Sequence, residues 1–67
     1  MKTETFGERL LLLRLRKGMT QSKLAKKSGV DAALLSHYET GKVKPNLTTL
    51  EWICEALGVT ASELLGF

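Results

Sequence analysis

The sequence predicts an all-α fold of five helices, and the placement of glycines and helix-capping residues is the main reason. Glycine commonly ends a helix because it adopts the left-handed backbone conformation without strain. Four of the six glycines stand at such stops, and each later segment opens with a side chain that can accept from free backbone N–H groups. No segment shows the alternation of apolar and polar residues that is typical of a β-strand. The stops are Gly18, Gly29, Gly41 and Gly58, and the starts are Thr20, Asp31, Asn46 and Thr60.

These boundaries set the five predicted helices. The last is short, but Thr60 is followed three residues later by Glu63, the pattern of a reciprocal capping box. Apolar residues of the fourth helix recur at intervals of three and four, which predicts one buried stripe. The predicted spans are Phe6–Lys17, Gln21–Ser28, Ala32–Thr40, Leu47–Leu57 and Ala61–Leu65. The stripe comprises Leu47, Leu50, Ile53, Cys54 and Leu57.

Length and composition exclude several classes of protein. A chain of 67 residues forms one domain, residues 1–67, with little room for an internal active-site cavity, so an enzyme is not expected. One cysteine and one histidine provide neither a disulfide nor a metal site, and we expect no cofactor. The longest apolar run has four residues, far short of a membrane span. We therefore expect a soluble cytoplasmic protein without membrane contact.

Charge is distributed unevenly along the chain. The whole chain carries +3, but residues 14–44 hold eight basic and two acidic residues, a local balance of +6. Residues 45–67 hold three acidic residues and no basic one, and residues 1–13 balance at zero. This pattern predicts that the middle of the chain faces a polyanion and that the C-terminal part does not.

The basic stretch has the form of a helix-turn-helix. Two short helices meet at Gly29, and small Ala25 stands where they must cross closely. The stretch also carries an ordered set of motifs: Thr20-Gln21, Leu24-Ala25, Gly29-Val30, Leu35-Ser36, Glu39, Gly41 and Pro45. By this set the chain resembles the Cro- and lambda-repressor-like (XRE-type) helix-turn-helix family over essentially its whole length.

The resemblance implies a compact five-helix lambda-repressor-like DNA-binding domain, with the helix-turn-helix formed by helices 2 and 3. In such proteins the second helix of the motif enters the major groove of duplex DNA and the first lies across the backbone. Polar and basic residues at the start of helix 2 and around the end of helix 3 are then expected to contact phosphates. These residues are Gln21, Lys23, Thr40, Lys42 and Lys44.

By position, the resemblance assigns base contacts to the outer face of helix 3. The residues are Ala32, Ala33, Ser36 and His37. Ala32 and Ala33 offer only apolar contact to a thymine methyl group, so direct readout is expected to be thin. His37, Ser36, methyl contacts and DNA shape then determine specificity, while backbone charge provides much of the affinity.

Arg14 and Glu39 match family positions that pair across helices 1 and 3, which implies a structural ion pair. Helix 1 also carries a second apolar stripe, comprising Leu11, Leu12 and Leu15, where related chains tend to be charged. Two explanations remain open. Either the C-terminal Leu64, Leu65 and Phe67 fold back over these leucines, or the stripe binds another protein.

Trp52 lies on the outer side of helix 4 by spacing and, with Leu65 and Phe67, forms a candidate dimer contact. A two-fold dimer would set two recognition helices about 34 Å apart, which predicts an inverted-repeat site. The sequence thus predicts a dimeric, sequence-specific transcriptional regulator, a repressor. The alternative is a protein-interaction or accessory subunit on the same fold, of the antitoxin or restriction-modification controller type.

Overall fold

A computed structural model describes residues 5–66, which form five α-helices and no strand. Four of the predicted spans are confirmed residue for residue. The first helix ends one residue earlier than predicted, because Lys17 leaves helical geometry as its C-cap. The helices are α1 Phe6–Arg16, α2 Gln21–Ser28, α3 Ala32–Thr40, α4 Leu47–Leu57 and α5 Ala61–Leu65.

Local capping explains where the helices begin. The side chains of Thr20, Asp31, Asn46 and Thr60 accept from backbone N–H groups of their own first turns, at 2.8 to 3.1 Å. The capping box of Thr60 and Glu63 is present as predicted. A second box, which the sequence analysis missed, joins Thr5 and Glu8 at the start of α1. Each box satisfies two donors that a helix start otherwise leaves to water.

Each helix contributes one fully buried aliphatic side chain to a single core. These side chains are Leu10, Leu24, Leu35, Ile53 and Leu64. Burying a side chain of this size contributes roughly 1.5 to 3 kcal/mol, so even the five-residue α5 is held by packing as well as by its cap. In the packing, α1 lies against α3 and α5, and α2 lies against α3 and α4.

The predicted stripe of α4 is wrong at its first position. Leu50, Ile53, Cys54 and Leu57 are buried, but Leu47 is 70% exposed. Leu47 is the first residue of the helix, directly after its cap Asn46, and its side chain extends beyond the packed core. Periodicity indicates the direction in which a side chain points, but not whether a neighbour covers it.

No helix within residues 5–66 is long and apolar enough to cross a membrane.

Candidate nucleic-acid interface

The turn between α2 and α3 fixes the orientation of α3. Gly29 ends α2 in the left-handed conformation (φ +77°), where a side chain would be strained. Val30 follows and is buried in the core, and its N–H donates to the hydroxyl oxygen of Ser28. Asp31 then caps α3 by accepting from the N–H of Ala33 at 3.1 Å. The left-handed Gly29, the buried Val30 and the cap Asp31 together therefore fix the direction in which α3 leaves the turn.

One side of α3 faces solvent, and the opposite side lies in the core. Leu35 and Tyr38 are buried, whereas Ala33, His37 and Thr40 are exposed. We call these three exposed residues the recognition face. Ala32 and Ser36, predicted beside them, lie at its edge and are half-buried. The structure thus brings the five residues predicted for the outer face onto one side of α3, three of them fully open to a partner.

Exposed lysines precede and follow α3 along the chain. Lys23 lies in the first turn of α2, and Lys42 and Lys44 lie in the segment that follows α3. That segment folds back on the helix, because the N–H of Lys42 donates to the carbonyl oxygen of His37 at 2.9 Å. Lys42 therefore stays close to the exposed end of α3.

Gln21 has a contact inside the protein that the sequence analysis did not foresee. It is half-buried, and its side-chain Nε2 donates to Glu39 Oε1 at 2.9 Å. An amide nitrogen carries two hydrogens, so one remains for a second acceptor. Gln21 thus links the start of α2 to Glu39 of α3.

Arg14 and Glu39 form an ion pair between α1 and α3. Arg14 Nε lies 2.6 Å from Glu39 Oε2, Nη2 lies 3.1 Å from Oε1, and the two side chains are 10% and 5% exposed. Arg14 Nη1 also donates to the carbonyl oxygen of Met19 at 2.8 Å. The Glu39 carboxylate thus accepts bonds from α1 and α2 while belonging to α3. Buried charges hydrogen-bonded in this way hold three helices in one arrangement.

Arg9 holds the C-terminal end of α5, a role the sequence analysis missed. Its guanidinium donates to the carbonyl oxygens of Glu63 (Nη2 at 2.5 Å) and Leu64 (Nε at 3.3 Å). The last carbonyls of a helix have no partner within it, and a cation there also complements the helix dipole. No sequence signal could reveal this contact, since the acceptors are backbone atoms 54 and 55 residues away.

Several large apolar side chains remain exposed away from the recognition face. We call Leu12, Leu15, Trp52 and Leu65 the apolar set; their exposed fractions are 38%, 57%, 48% and 38%. Leu11 is half-buried, and Phe67 lies outside the described residues. Leu64 does pack back into the core, but Leu12 and Leu15 stay open to solvent. The described part of the C-terminus therefore leaves Leu12 and Leu15 of α1 uncovered.

Two further observations concern the metal-binding and thiol chemistry of the described residues. No cluster of three His, Cys, Asp or Glu residues there could hold a metal ion. The pKa of the Cys54 thiol is raised by burial and, to a lesser degree, by the carboxylates of Glu51 and Glu63. A buried neutral thiol behaves as a small apolar side chain.

Comparisons with known proteins agree with this geometry. A helix-turn-helix family model matches residues 10–64. The immunity repressor of Bacillus phage phi105 is 34% identical over 62 residues, which make up 92% of this chain and 43% of that protein. The chain spans 29% to 56% of the length of this and two further curated relatives.

Solved structures show the same likeness. The restriction-modification controller C.AhdI from Aeromonas hydrophila is 35% identical, with a TM-score of 0.87 over 90% of this chain and 91% of that one. The P22 c2 repressor in complex with a synthetic operator is 30% identical, with a TM-score of 0.87 over 94% of this chain and 96% of that one. Fold, motif set and matched residues together show that the chain belongs to the XRE-type helix-turn-helix family, whose structural neighbours include phage repressors.

Proposed function

We propose that this chain is a transcriptional regulator that binds duplex DNA with α3 in the major groove and represses by occupying an operator. The recognition face carries this proposal: it is an exposed, uncharged side of a helix with lysines beside it. An α-helix fits the ~12 Å groove, where base edges present a distinct pattern of donors and acceptors. The likeness to the P22 c2 repressor, crystallised with an operator, supports the same mode of binding.

Phosphate contacts in this proposal come from the two ends of the helix-turn-helix. Lys23 and the second amide hydrogen of Gln21 stand at the start of α2, and Lys42 and Lys44 follow α3. Thr40, exposed in the last turn of α3, completes the set once its hydroxyl turns from the carbonyl oxygen of His37, to which it donates at 3.2 Å, to a phosphate oxygen. These contacts set the register of the protein on DNA and supply most of the salt-sensitive affinity.

Base contacts come from Ala32, Ala33, Ser36 and His37. The imidazole of His37 and the hydroxyl of Ser36 can hydrogen-bond to base edges, whereas the two alanines can only contact thymine methyl groups. With so few hydrogen-bonding groups, the shape and flexibility of the DNA contribute to specificity.

A homodimer would place two recognition faces about 34 Å apart on an inverted repeat. Trp52 and Leu65 of the apolar set, with Phe67, are the proposed contact between subunits. Exposed apolar side chains that lie together in a patch mark interaction sites, and Trp is enriched at interfaces.

A second candidate is an accessory DNA-binding subunit of the restriction-modification controller or antitoxin type. The likeness to C.AhdI, at 35% identity over 91% of that chain, supports this alternative. In this role Leu11, Leu12 and Leu15 of α1 would bind a protein partner. Either function takes place in the cytoplasm, with residues 1–67 as one domain that acts by occupancy and catalyses no reaction.

The test begins with selection of bound duplexes from a random pool, followed by measurement of affinity against salt concentration. Each phosphate neutralised contributes about −0.9 to the slope of log K against log salt. Replacing both Lys42 and Lys44 with Gln is expected to flatten the slope by about 1.8.

The matched control replaces Lys26 and Lys27 with Gln, since these lysines are also exposed, on α2, but are not assigned to DNA. For this control variant, the slope of log K against log salt is expected to stay unchanged. A wild-type chain whose binding shows no salt slope would contradict DNA binding, and equal flattening in both double variants would contradict the assignment of Lys42 and Lys44.

A further inference from the structure

Gly7 differs from the other glycines of the described chain. The others, including Gly29 and Gly41, have positive φ and end helices or turns, but Gly7 lies within the first turn of α1 with an ordinary helical backbone. It is also buried. Because glycine weakens a helix relative to alanine, its presence inside one indicates that a side chain cannot be accommodated there.

The backbone of α3 occupies the place where a side chain would stand. A Cβ added to Gly7 would lie 2.6 Å from the carbonyl oxygen of Tyr38 and 2.9 Å from the carbonyl carbon of Glu39, and closer still to the Glu39 oxygen. These atoms belong to the last turn of α3, so no change of rotamer can move them aside. The missing side chain of Gly7 therefore lets α1 contact the α3 backbone directly.

Two points of α1 thus hold the same turn of α3. Arg14 stands seven residues after Gly7, two helical turns along the same side of α1, and its guanidinium binds the Glu39 carboxylate. One contact positions the backbone of α3, and the other positions a side chain of the same residue. The same turn of α3 therefore contacts α1 at two points, Gly7 and Arg14.

We propose that Gly7 is a positioning residue for specificity: without touching DNA, it sets how far the recognition face projects into the groove. This inference rests on the proposed DNA binding. The short side chains at Ala33 and Ser36 make the position critical, because they cannot extend to recover a base contact once the helix backbone shifts. Phosphate contacts of flexible lysines such as Lys44 tolerate the same shift, since a long side chain can follow the backbone.

The test is the variant Gly7→Ala. The quantity measured is the affinity for the duplex selected by the wild-type chain, divided by the affinity for a random duplex of equal length at the same salt concentration. Partial unfolding lowers both affinities by the same factor, so the ratio reports the geometry of the folded state alone. We expect the ratio to fall about tenfold, as for one mismatched base pair. The random-duplex affinity per folded molecule is expected to stay within about twofold.

Ala56→Gly is the matched control, since it removes a buried methyl group in α4, away from the Gly7 contact. It is expected to destabilise the domain and leave the ratio unchanged. If Gly7→Ala is partly unfolded, both chains are compared in trimethylamine N-oxide, which favours the folded state.

The outcomes separate the two proposals. A wild-type ratio of one would overturn the proposed sequence-specific function and this inference with it. A normal wild-type ratio together with an unchanged Gly7→Ala ratio would overturn only the role of Gly7. Failure of Gly7→Ala to fold even in the osmolyte would also overturn it, because Gly7 would then serve folding alone.

Discussion

The recognition face and the apolar set are both exposed, but their chemistry is opposite. The recognition face consists of Ala33, His37 and Thr40 on α3, and Lys42 and Lys44 lie in the segment that follows. The apolar set carries leucine and tryptophan side chains on α1, α4 and α5, and every charged residue of α4 and α5 is acidic. A polyanion is attracted to the first and repelled from the C-terminal part of the second. We therefore expect DNA to bind the recognition face and protein partners to bind residues of the apolar set.

The recognition face and the apolar set also differ in how favourably they interact with water. Small and polar groups on the recognition face are compatible with solvent until DNA replaces it. The leucines and Trp52 of the apolar set gain from being covered at any time, by roughly 25 cal/mol for each Å² of apolar area removed from water. We therefore expect the apolar set to drive association between protein chains even without DNA. The recognition face is expected to form contacts only when DNA is present.

The largest expected effect comes from removing the ion pair that joins α1, which carries part of the apolar set, to α3, which carries the recognition face. Arg14→Met leaves the buried Glu39 carboxylate without its cation and the Met19 carbonyl without a donor. A loss of about 3 to 5 kcal/mol in the free energy of unfolding is expected, measured by urea denaturation followed by circular dichroism.

Arg16→Met is the control for Arg14→Met, since Arg16 is exposed on the same helix. Its effect is expected to stay within about 0.5 kcal/mol. Equal effects of the two substitutions would show that the Arg14–Glu39 pair adds nothing beyond an exposed charge.

An intermediate effect is expected on the recognition face itself. His37→Ala removes the one imidazole there, so the affinity for the selected duplex is expected to fall by about 1 to 3 kcal/mol. The affinity for random duplex should change little, because phosphate contacts provide it. Competition between the two duplexes measures both quantities.

Lys42→Gln provides the contrast for His37→Ala, because loss of a phosphate contact should weaken both duplexes about equally. If His37→Ala also weakens both equally, then His37 contacts the backbone and the bases are recognised elsewhere.

The smallest change in fold stability is expected on the apolar set. Trp52→Gln is expected to weaken dimerisation at least tenfold, as seen by sedimentation equilibrium, while the free energy of unfolding of the monomer changes by less than about 1 kcal/mol. Leu47→Gln is the matched control, being more exposed than Trp52 but outside the proposed contact. Equal sedimentation of wild type and Trp52→Gln would remove Trp52 from the dimer interface.

The boundaries of the fold were predictable because their causes lie within a few residues. Thr60 and Glu63 are three residues apart, and the left-handed Gly29 ends the helix it follows directly. The outer side of α3 was predictable in the same way, from helical spacing around the buried Leu35. The prediction that Leu47 is buried was wrong, because this first residue of α4 extends beyond the packed core and helical spacing does not show whether a neighbour covers it.

The remaining features depend on atoms that the sequence does not place. Arg9 binds carbonyl oxygens of α5, and Gly7 makes room for carbonyl groups of α3. Every residue has a carbonyl group, so residue type carries no sign of which one a distant side chain will meet.

Residue order alone was enough to specify five helices, their caps, the basic middle of the chain and the side of α3 that turns outward, since these follow from short-range hydrogen bonding and helical periodicity. Packing between helices settled the depth at which α3 lies against Gly7, the binding of Gln21 to Glu39, and the exposure of Leu12 and Leu15. These contacts join residues far apart in the chain, and their geometry exists only once the helices have come together around one core.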